Sequence, residues 1–306
     1  MVKGFVKKWL VAVRAPFFTA SLVPVLVGGT LAYNRTGEFH FWKFMLTLLG
    51  VVCLHAGTDL ANDYYDHKTT DDDINPNPTP FSGGSRVIQN GIISAKAVLI
   101  VSLLFFAIGS IIGLYLNAIT PGNVVLVIGI VGVVSGFLYT ATPVMIAYRG
   151  WGEFAVGLNF GVLAVLGTYY VQTYTLSWVA FWASLPIAFL IAAVLYVNQF
   201  QDYEPDKAVN KRNLVVRLGK KNAVYGYFVL IFGTYAVILA SVIFGILTPF
   251  VLFSFLTFPL AVTAVRVLKA NYDKIFELLP ANAATIKIHL LVGLFMSLGL
   301  VVGRIV

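Results

Sequence analysis

Long apolar stretches recur along this chain with few charges inside them, and short polar segments separate them. A helix needs about 20 apolar residues to cross the ~30 Å hydrocarbon core of a bilayer. Nine such stretches are legible, at about 15–33, 42–61, 96–117, 122–139, 152–171, 178–200, 222–246, 248–269 and 286–305. A backbone in hydrocarbon must satisfy its own hydrogen bonds, so each stretch is expected to be a helix. The pattern therefore predicts an all-α, polytopic membrane protein with nine transmembrane helices, residues 1–306 forming one membrane-embedded domain.

Composition sharpens this reading. The chain is 59% hydrophobic and 11% charged, whereas a soluble domain keeps about a quarter of its residues charged. With the N-terminus inside and the spans alternating, 18 of the 21 Lys and Arg residues fall on the inner side, from Lys3, Lys7 and Lys8 to Lys287. Only Arg35, Lys43 and Arg304 fall outside. That bias is the positive-inside rule, and it places the C-terminus outside. The net charge of +8 follows from topology and calls for no nucleic-acid partner. The first stretch has no evident small-x-small cleavage site, so it is read as a retained helix and not a signal peptide. Cys53 is the only cysteine, which excludes a disulfide framework, and the four histidines show no metal-ligand spacing. Asn34-Arg35-Thr36 is a formal glycosylation sequon, read as chance.

The carboxylates carry the chemistry. Nine of thirteen lie in two clusters: Asp59, Asp63, Asp66, Asp71, Asp72 and Asp73 after the second stretch, and Asp202, Glu204 and Asp206 after the sixth. Ionisable groups near a bilayer core are costly and are functional by default. Asn62-Asp63-Tyr64-Tyr65-Asp66 and Asn198-Gln199-Phe200-Gln201-Asp202 repeat one spacing at an offset of 136 residues. Residues four apart share a helix face, so each Asn and Asp is expected to project together. The offset spans four helices, which predicts two four-helix repeats, about 15–139 and 152–269, plus a final helix at 286–305. Glu204-Pro205 is expected to open a new short helix. Paired carboxylate clusters suit Mg²⁺, which takes a few carboxylates together with substrate phosphates. Lys68, Arg86, Arg149, Lys207, Lys211 and Arg212 lie in the same loops as candidate phosphate contacts. The Pro-, Gly- and Ser-rich segment 75–91, which includes Ser82-Gly83-Gly84-Ser85-Arg86, is expected to fold over the site as a lid.

At these residues the chain resembles the UbiA superfamily of intramembrane prenyltransferases, and most nearly its 1,4-dihydroxy-2-naphthoate branch in menaquinone biosynthesis. The likeness covers nearly the whole chain, from Arg14-Ala15-Pro16 through both Asp motifs, Tyr139-Thr140-Ala141-Thr142-Pro143 and Tyr148-Arg149-Gly150-Trp151-Gly152-Glu153 to Asn213-Leu214-Val215-Val216-Arg217-Leu218-Gly219. It implies nine helices around a central cavity that faces the cytoplasm under a cap of extramembrane loops and helices, in the cell membrane. It implies a Mg²⁺ cofactor, with Asn62, Asp66, Asp202 and Asp206 as metal ligands. Asn62, Asp63, Lys68, Arg86, Arg149, Asn198, Lys207 and Lys211 become substrate-binding candidates, and Tyr139, Arg86 and Arg149 catalytic ones. Many members carry a further Asp where this chain has Thr70, so Asp71 or Asp72 is expected to substitute. The role of Asp59 is left open. The partners implied are a prenyl diphosphate, an aromatic acceptor and the lipid bilayer. The expected chemistry is metal-assisted ionisation to an allylic cation, shielded by Tyr139 and neighbours such as Tyr64, Tyr65 and Phe200.

Two other classes fit the residues less well. A CDP-alcohol phosphotransferase needs one compact Asp-rich motif, not two far apart. A secondary transporter would carry its charges nearer mid-helix. Other acceptors for the same chemistry are 4-hydroxybenzoate, homogentisate and a geranylgeranylglyceryl phosphate.

Overall fold

The computed structural model describes residues 4–306, which leaves Lys3, one of the basic residues expected on the inner face, outside the described residues. It is a bundle of helices, and among the described residues the only β-type pairing is an isolated bridge between Thr79 and Ser82. In chain order the helices are α1 (Phe5–Ala12), α2 (Ala15–Thr36), α3 (Phe41–Lys68) and α4 (Ala95–Ala118). They continue with α5 (Val124–Phe137), α6 (Gly152–Thr173), α7 (Trp178–Asn198), α8 (Tyr203–Ala208) and α9 (Leu214–Leu218). The last three are α10 (Lys220–Ile243), α11 (Pro249–Asn271) and α12 (Leu279–Ile305). Eight of these are long and apolar enough to cross a membrane, and α5 is a shorter apolar helix. All nine expected stretches are therefore helical, and the chain is a multi-pass membrane protein.

The ends of these helices have local causes. The Ser94, Ser177 and Asn213 side chains accept hydrogen bonds from the backbone N–H groups of Ala97, Val179 and Val216, capping α4, α7 and α9. Pro24 and Pro186 sit inside spans, where neighbouring helices compensate the lost hydrogen bond. At ~1.5 Å per residue the 14 residues of α5 reach only about 21 Å, so some irregular backbone follows at membrane depth. It is satisfied within the protein: Ile146 and Ala147 N–H donate to Leu138 and Tyr139 carbonyls at 3.1 and 2.9 Å.

The packing is lopsided. One large core joins α2, α7, α10, α11 and α12 through side chains such as Leu31, Ile187, Tyr227, Leu268 and Ile288, all buried. On the other side α3, α4, α5 and α6 enclose a cavity of about 1240 Å³. Residues 157–163 of α6 form a π-helical turn along that cavity, a device common at functional sites. Of the small-residue spacings, Gly161 packs directly on Ala188 of α7 and Gly109 on Leu54, within one chain, whereas Gly113 faces open space. Cys53 is buried. Asn34 lies inside α2, where its amide donates to the Leu300 carbonyl at 2.8 Å, so the sequon is not an open acceptor.

Two boundaries differ from the pattern-based expectation. The second apolar stretch does not stop near residue 61: its helix, α3, runs to Lys68, because polar Asn62, Asp63 and Asp66 are satisfied by side-chain partners and need no loop. The helix of the sixth stretch, α7, ends at Asn198, with a turn before α8. Asn198 and Asp202 therefore do not share a continuous helical face, unlike Asn62 and Asp66. Glu204-Pro205 does sit in the first turn of the new short helix.

Candidate active site

The last turns of α3 set one wall. Asn62 Nδ2 donates to Asp66 Oδ2 at 2.8 Å, and Tyr148 Oη donates to Asp66 Oδ1 at 2.8 Å. Asp63, buried, accepts from the Arg14 guanidinium and from the Ser85 hydroxyl. Beyond Lys68, Thr70 takes the left-handed conformation with φ +65°, and Asp71 N–H closes on the Asp66 carbonyl at 2.9 Å. This reversal buries Asp71 and Asp72 in the cavity wall. Asp73 instead points outward to His67 at 2.8 Å.

The opposite wall comes from the end of α7 and from α8. Asp202 precedes α8, and Asp206 lies within it, buried. Asn213 Nδ2 donates to Asp206 Oδ2 at 2.6 Å, and Asn198 Oδ1 accepts from Asn282 of α12 at 2.8 Å. Lys211 stands between the walls, its ammonium 3.2 Å from Asp66, 2.6 Å from Asp71 and 3.3 Å from Asp206. The two motifs, far apart in sequence, thus meet around one cation.

Segment 75–91 lies across the polar end of the cavity. Asn75 Nδ2 and Gly83 N–H donate to Asp202 at 3.0 and 3.3 Å. Ser85 bonds Asp63, and the Arg86 guanidinium donates to the Asp72 carbonyl. The segment thereby ties the first motif to the second. Gly84, at φ +73°, lies so close to the Asp72 carboxylate that a Cβ would collide with it. No side chain but hydrogen fits there.

Negative charge is in excess. Asp66, Asp71, Asp72, Asp202 and Asp206 all line the cavity beside Lys211 and Arg86. Burial, with neighbouring carboxylates adding to it, holds Asp72 and Asp206 well above the usual carboxylate range, and Lys211 opposes the shift without cancelling it. Burial likewise pushes Asp202 up to about 6. Lys211 itself is raised well above its ordinary value, because Asp206, Asp66 and Asp71 together outweigh its desolvation. Such a site stabilises added positive charge.

Among the described residues no three His, Cys or carboxylate groups form a ready-made metal cage. The donor set nevertheless fits a hard cation. It is all oxygen, Asp71 Oδ1 is buried without a hydrogen-bond partner, and an incomplete protein shell is what Mg²⁺ shares with phosphates.

Not every expected residue is here. Arg149 is exposed, and its guanidinium donates to the Pro143 carbonyl at 3.1 Å. Lys68 and Lys207 are also exposed, the latter over the Tyr203 ring at 5.7 Å. None of the three lines the cavity: α3 and α8 each turn one face inward with Lys68 and Lys207 on the other, and Arg149 ends the short turn before α6. Asp63 is occupied by Arg14 and Ser85 and does not line the cavity either. Asn62, Asn198, Arg86, Lys211 and Tyr139 do. The aromatic lining is Phe17, Phe81, Tyr139 and Phe160. Phe200 belongs to the large core, while Tyr64 packs edge-to-face on Tyr65, and Tyr65 in the same way on Phe137. Arg14 and Tyr148 were missed as site residues. The signal for Arg14 was a lone Arg at the membrane edge of the first span, and Tyr148 adjoins the Arg that drew attention instead.

A helical membrane bundle with carboxylates converging on one end of a largely apolar cavity defines a membrane-embedded enzyme that handles a charged headgroup on an apolar tail. The sequence profile of the UbiA prenyltransferase family matches residues 21–297. The 1,4-dihydroxy-2-naphthoate octaprenyltransferase of Bacillus subtilis (strain 168) is 30% identical over 94% of this chain and 90% of the relative. The enzyme of the same name from Haemophilus influenzae is 30% identical over 99% and 98%, and the 2-carboxy-1,4-naphthoquinone phytyltransferase of Synechocystis is 28% identical over 96% and 92%. The fold matches a UbiA homologue from Aeropyrum pernix K1 with a TM-score of 0.71 at 17% identity, over 94% of this chain and 98% of that one. A UbiA homologue from Archaeoglobus fulgidus, solved bound to DMAPP and Mg²⁺, matches with 0.65 at 18% identity, over 96% and 99%. The chain belongs to the UbiA prenyltransferase family, and it is a membrane prenyltransferase.

Proposed function

We propose that the enzyme transfers a prenyl group from a polyprenyl diphosphate to 1,4-dihydroxy-2-naphthoate, in menaquinone biosynthesis. The observation that carries the reaction is the convergence of Asp66, Asp71 and Asp206 on Lys211, with Asp202 lining the same polar end of an apolar cavity. The acceptor rests on the names of near-full-length relatives.

Asn62, Asp66, Asp202 and Asp206, with Asp71 in place of the missing carboxylate at Thr70, are the residues that would hold Mg²⁺. When bound, that ion supplies charge neutralisation at the departing diphosphate. Lys211 and Arg86 add fixed positive charge beside the same phosphates. The apolar walls of α3 to α6 enclose the tail, and segment 75–91 excludes water that would quench an allylic cation. Tyr139 and Phe160 offer ring faces to that cation. The inner-side excess of Lys and Arg supports a cytoplasmic N-terminus, an outer C-terminus and a site that faces the cytoplasm. The 136-residue offset of the motifs supports descent from a duplicated four-helix unit.

The test is transfer of labelled geranylgeranyl diphosphate to 1,4-dihydroxy-2-naphthoate in detergent with Mg²⁺, beside Asp66→Ala and Asp202→Ala. Product from wild type, lost in both variants and with EDTA, is the expected outcome. Diphosphate release without naphthoate product would leave the prenyltransfer reaction standing and overturn the acceptor.

A further inference from the structure

One largely buried acid that lines the cavity is left over once the diphosphate end is accounted for. Asp59 lies on α3 three residues before Asn62 and His55 four residues before that, so both share the Asn62 face of the helix. At ~1.5 Å per residue they lie about 4 and 10 Å deeper in the membrane than Asn62. Both line the cavity, and their side chains are only 16% and 8% exposed. His55 Nε2 is 3.5 Å from Asp59 Oδ2, while Nδ1 is 2.9 Å from Ser21 Oγ of α2. Phe18 and Phe160 close on the imidazole from α2 and α6.

The cations nearby are engaged elsewhere. Arg14 reaches Asp63 and Asn62, and Lys211 reaches Asp66, Asp71 and Asp206. Asp59 Oδ2 is buried with no hydrogen-bond partner. A carboxylate at membrane depth with an oxygen left without a hydrogen bond is expensive unless it serves the reaction. Its place, one turn below the diphosphate, is where the first carbon of a prenyl group and an acceptor ring must meet.

We infer that Asp59 is the base that takes and returns the acceptor's hydroxyl proton, with His55, held by Ser21, as its positioning residue. This rests on the proposed acceptor. The ring carbon bearing the carboxylate bonds to the prenyl carbon as the C–O bond to diphosphate breaks. The neighbouring hydroxyl becomes a ketone and its proton passes to Asp59. The C–CO₂ bond then breaks, its electron pair restores the aromatic ring, and the oxygen takes the proton back from Asp59. The proton balance closes without water, which suits a site walled by Phe160 and the apolar faces of α4 and α5.

The experiment compares wild type with Asp59→Asn, Asp59→Glu and His55→Gln, using geranylgeranyl diphosphate, 1,4-dihydroxy-2-naphthoate and Mg²⁺. General-base loss is worth about 10²–10⁴ in rate. Asp59→Asn is expected to lower kcat for transfer about 100-fold or more, while KM for the diphosphate and its acceptor-free, Mg²⁺-dependent release change less than about threefold. Its residual transfer rises with pH as the acceptor ionises by itself, and Asp59→Glu recovers part of the rate. His55→Gln, which leaves the carboxylate in place, shifts the pH profile of transfer and not diphosphate release, and it decides the matter if Asp59→Asn fails to fold. Transfer within threefold of wild type and an unchanged pH profile overturn the inference. So does a parallel loss of transfer and diphosphate release. If wild type prefers another phenolic acceptor, the naphthoate reading falls and the same variants judge Asp59 on that acceptor. If it uses none, both fall.

Discussion

Lys211 and Asp71 are 140 residues apart in sequence, yet the ammonium and the carboxylate meet at 2.6 Å inside the cavity. The same ammonium also reaches Asp66 and Asp206, so one lysine joins both halves of the chain. Removing one partner of a buried ion pair costs about 3–5 kcal/mol, because the others are left uncompensated. Lys211→Met is therefore expected to lower thermal stability by about that amount, and added Mg²⁺ to restore more of it than in wild type. Thermal unfolding in detergent, with and without millimolar Mg²⁺, checks this. A variant as stable as wild type in EDTA would show that the lysine is not the counter-ion of these carboxylates.

The arginines divide sharply. Arg86 lines the cavity and donates to the Asp72 carbonyl, whereas Arg149 is exposed and reaches only the Pro143 carbonyl. Arg86→Ala is expected to reduce kcat/KM for the prenyl diphosphate about 100-fold, on the order of the loss of one charge-stabilising donor. Arg149→Ala is expected to change it less than about threefold. Steady-state kinetics on both variants settles the ranking, and a larger loss at Arg149 would mean that the 143–151 turn moves inward when substrate binds.

This division marks where the sequence stops being legible. Apolar run length gave all nine helices, because lipid leaves a backbone few alternatives. Spacing and charge brought Asn62, Asp66, Asp202 and Asp206 together as candidates. What run length could not give is facing. Lys68 and Lys207 share segments with inward aspartates yet project outward, since rotation about a helix axis is set by packing elsewhere. Asp71 turns inward through a left-handed residue at Thr70, a backbone choice that a threonine does not advertise. Arg14 reaches Asp63 across 49 residues, a pairing that needs the tertiary structure.

Gly84 offers a test of the closing segment. Its φ of +73° is open to glycine but costs an L-residue of order 1–3 kcal/mol, and a Cβ would strike the Asp72 carboxylate. Gly84→Ala is thus expected to displace either the segment or Asp72. In the first case acceptor-free hydrolysis of the prenyl diphosphate rises relative to transfer, because water enters. In the second Mg²⁺ affinity falls. Comparing the ratio of prenyl alcohol to prenylated product between variant and wild type separates the two, and an unchanged ratio with unchanged metal affinity would rule out a closing role for the segment.

Protons and metal compete for the second motif. Asp202 has a folded-state pKa of about 6 against an ordinary 3.8, chiefly through burial. Between those values the folded, metal-free protein holds a proton that the unfolded chain has released. Its stability therefore rises as pH falls through 6, the gain being complete below about 4, and declines again as pH rises. Asp206 and Asp72, also raised well above the usual carboxylate range by burial and by their neighbours, act in the same direction. Bound Mg²⁺ reverses the dependence, because the ion requires these groups ionised and must displace their protons. The stabilisation by a fixed Mg²⁺ concentration is therefore expected to shrink as pH is lowered from 7.5 to 5.5, and each ion bound at pH 6 to release protons. Isothermal titration in buffers of different ionisation enthalpy measures that release. A pH-independent Mg²⁺ affinity across this range would mean that neither Asp202 nor Asp206 is a ligand.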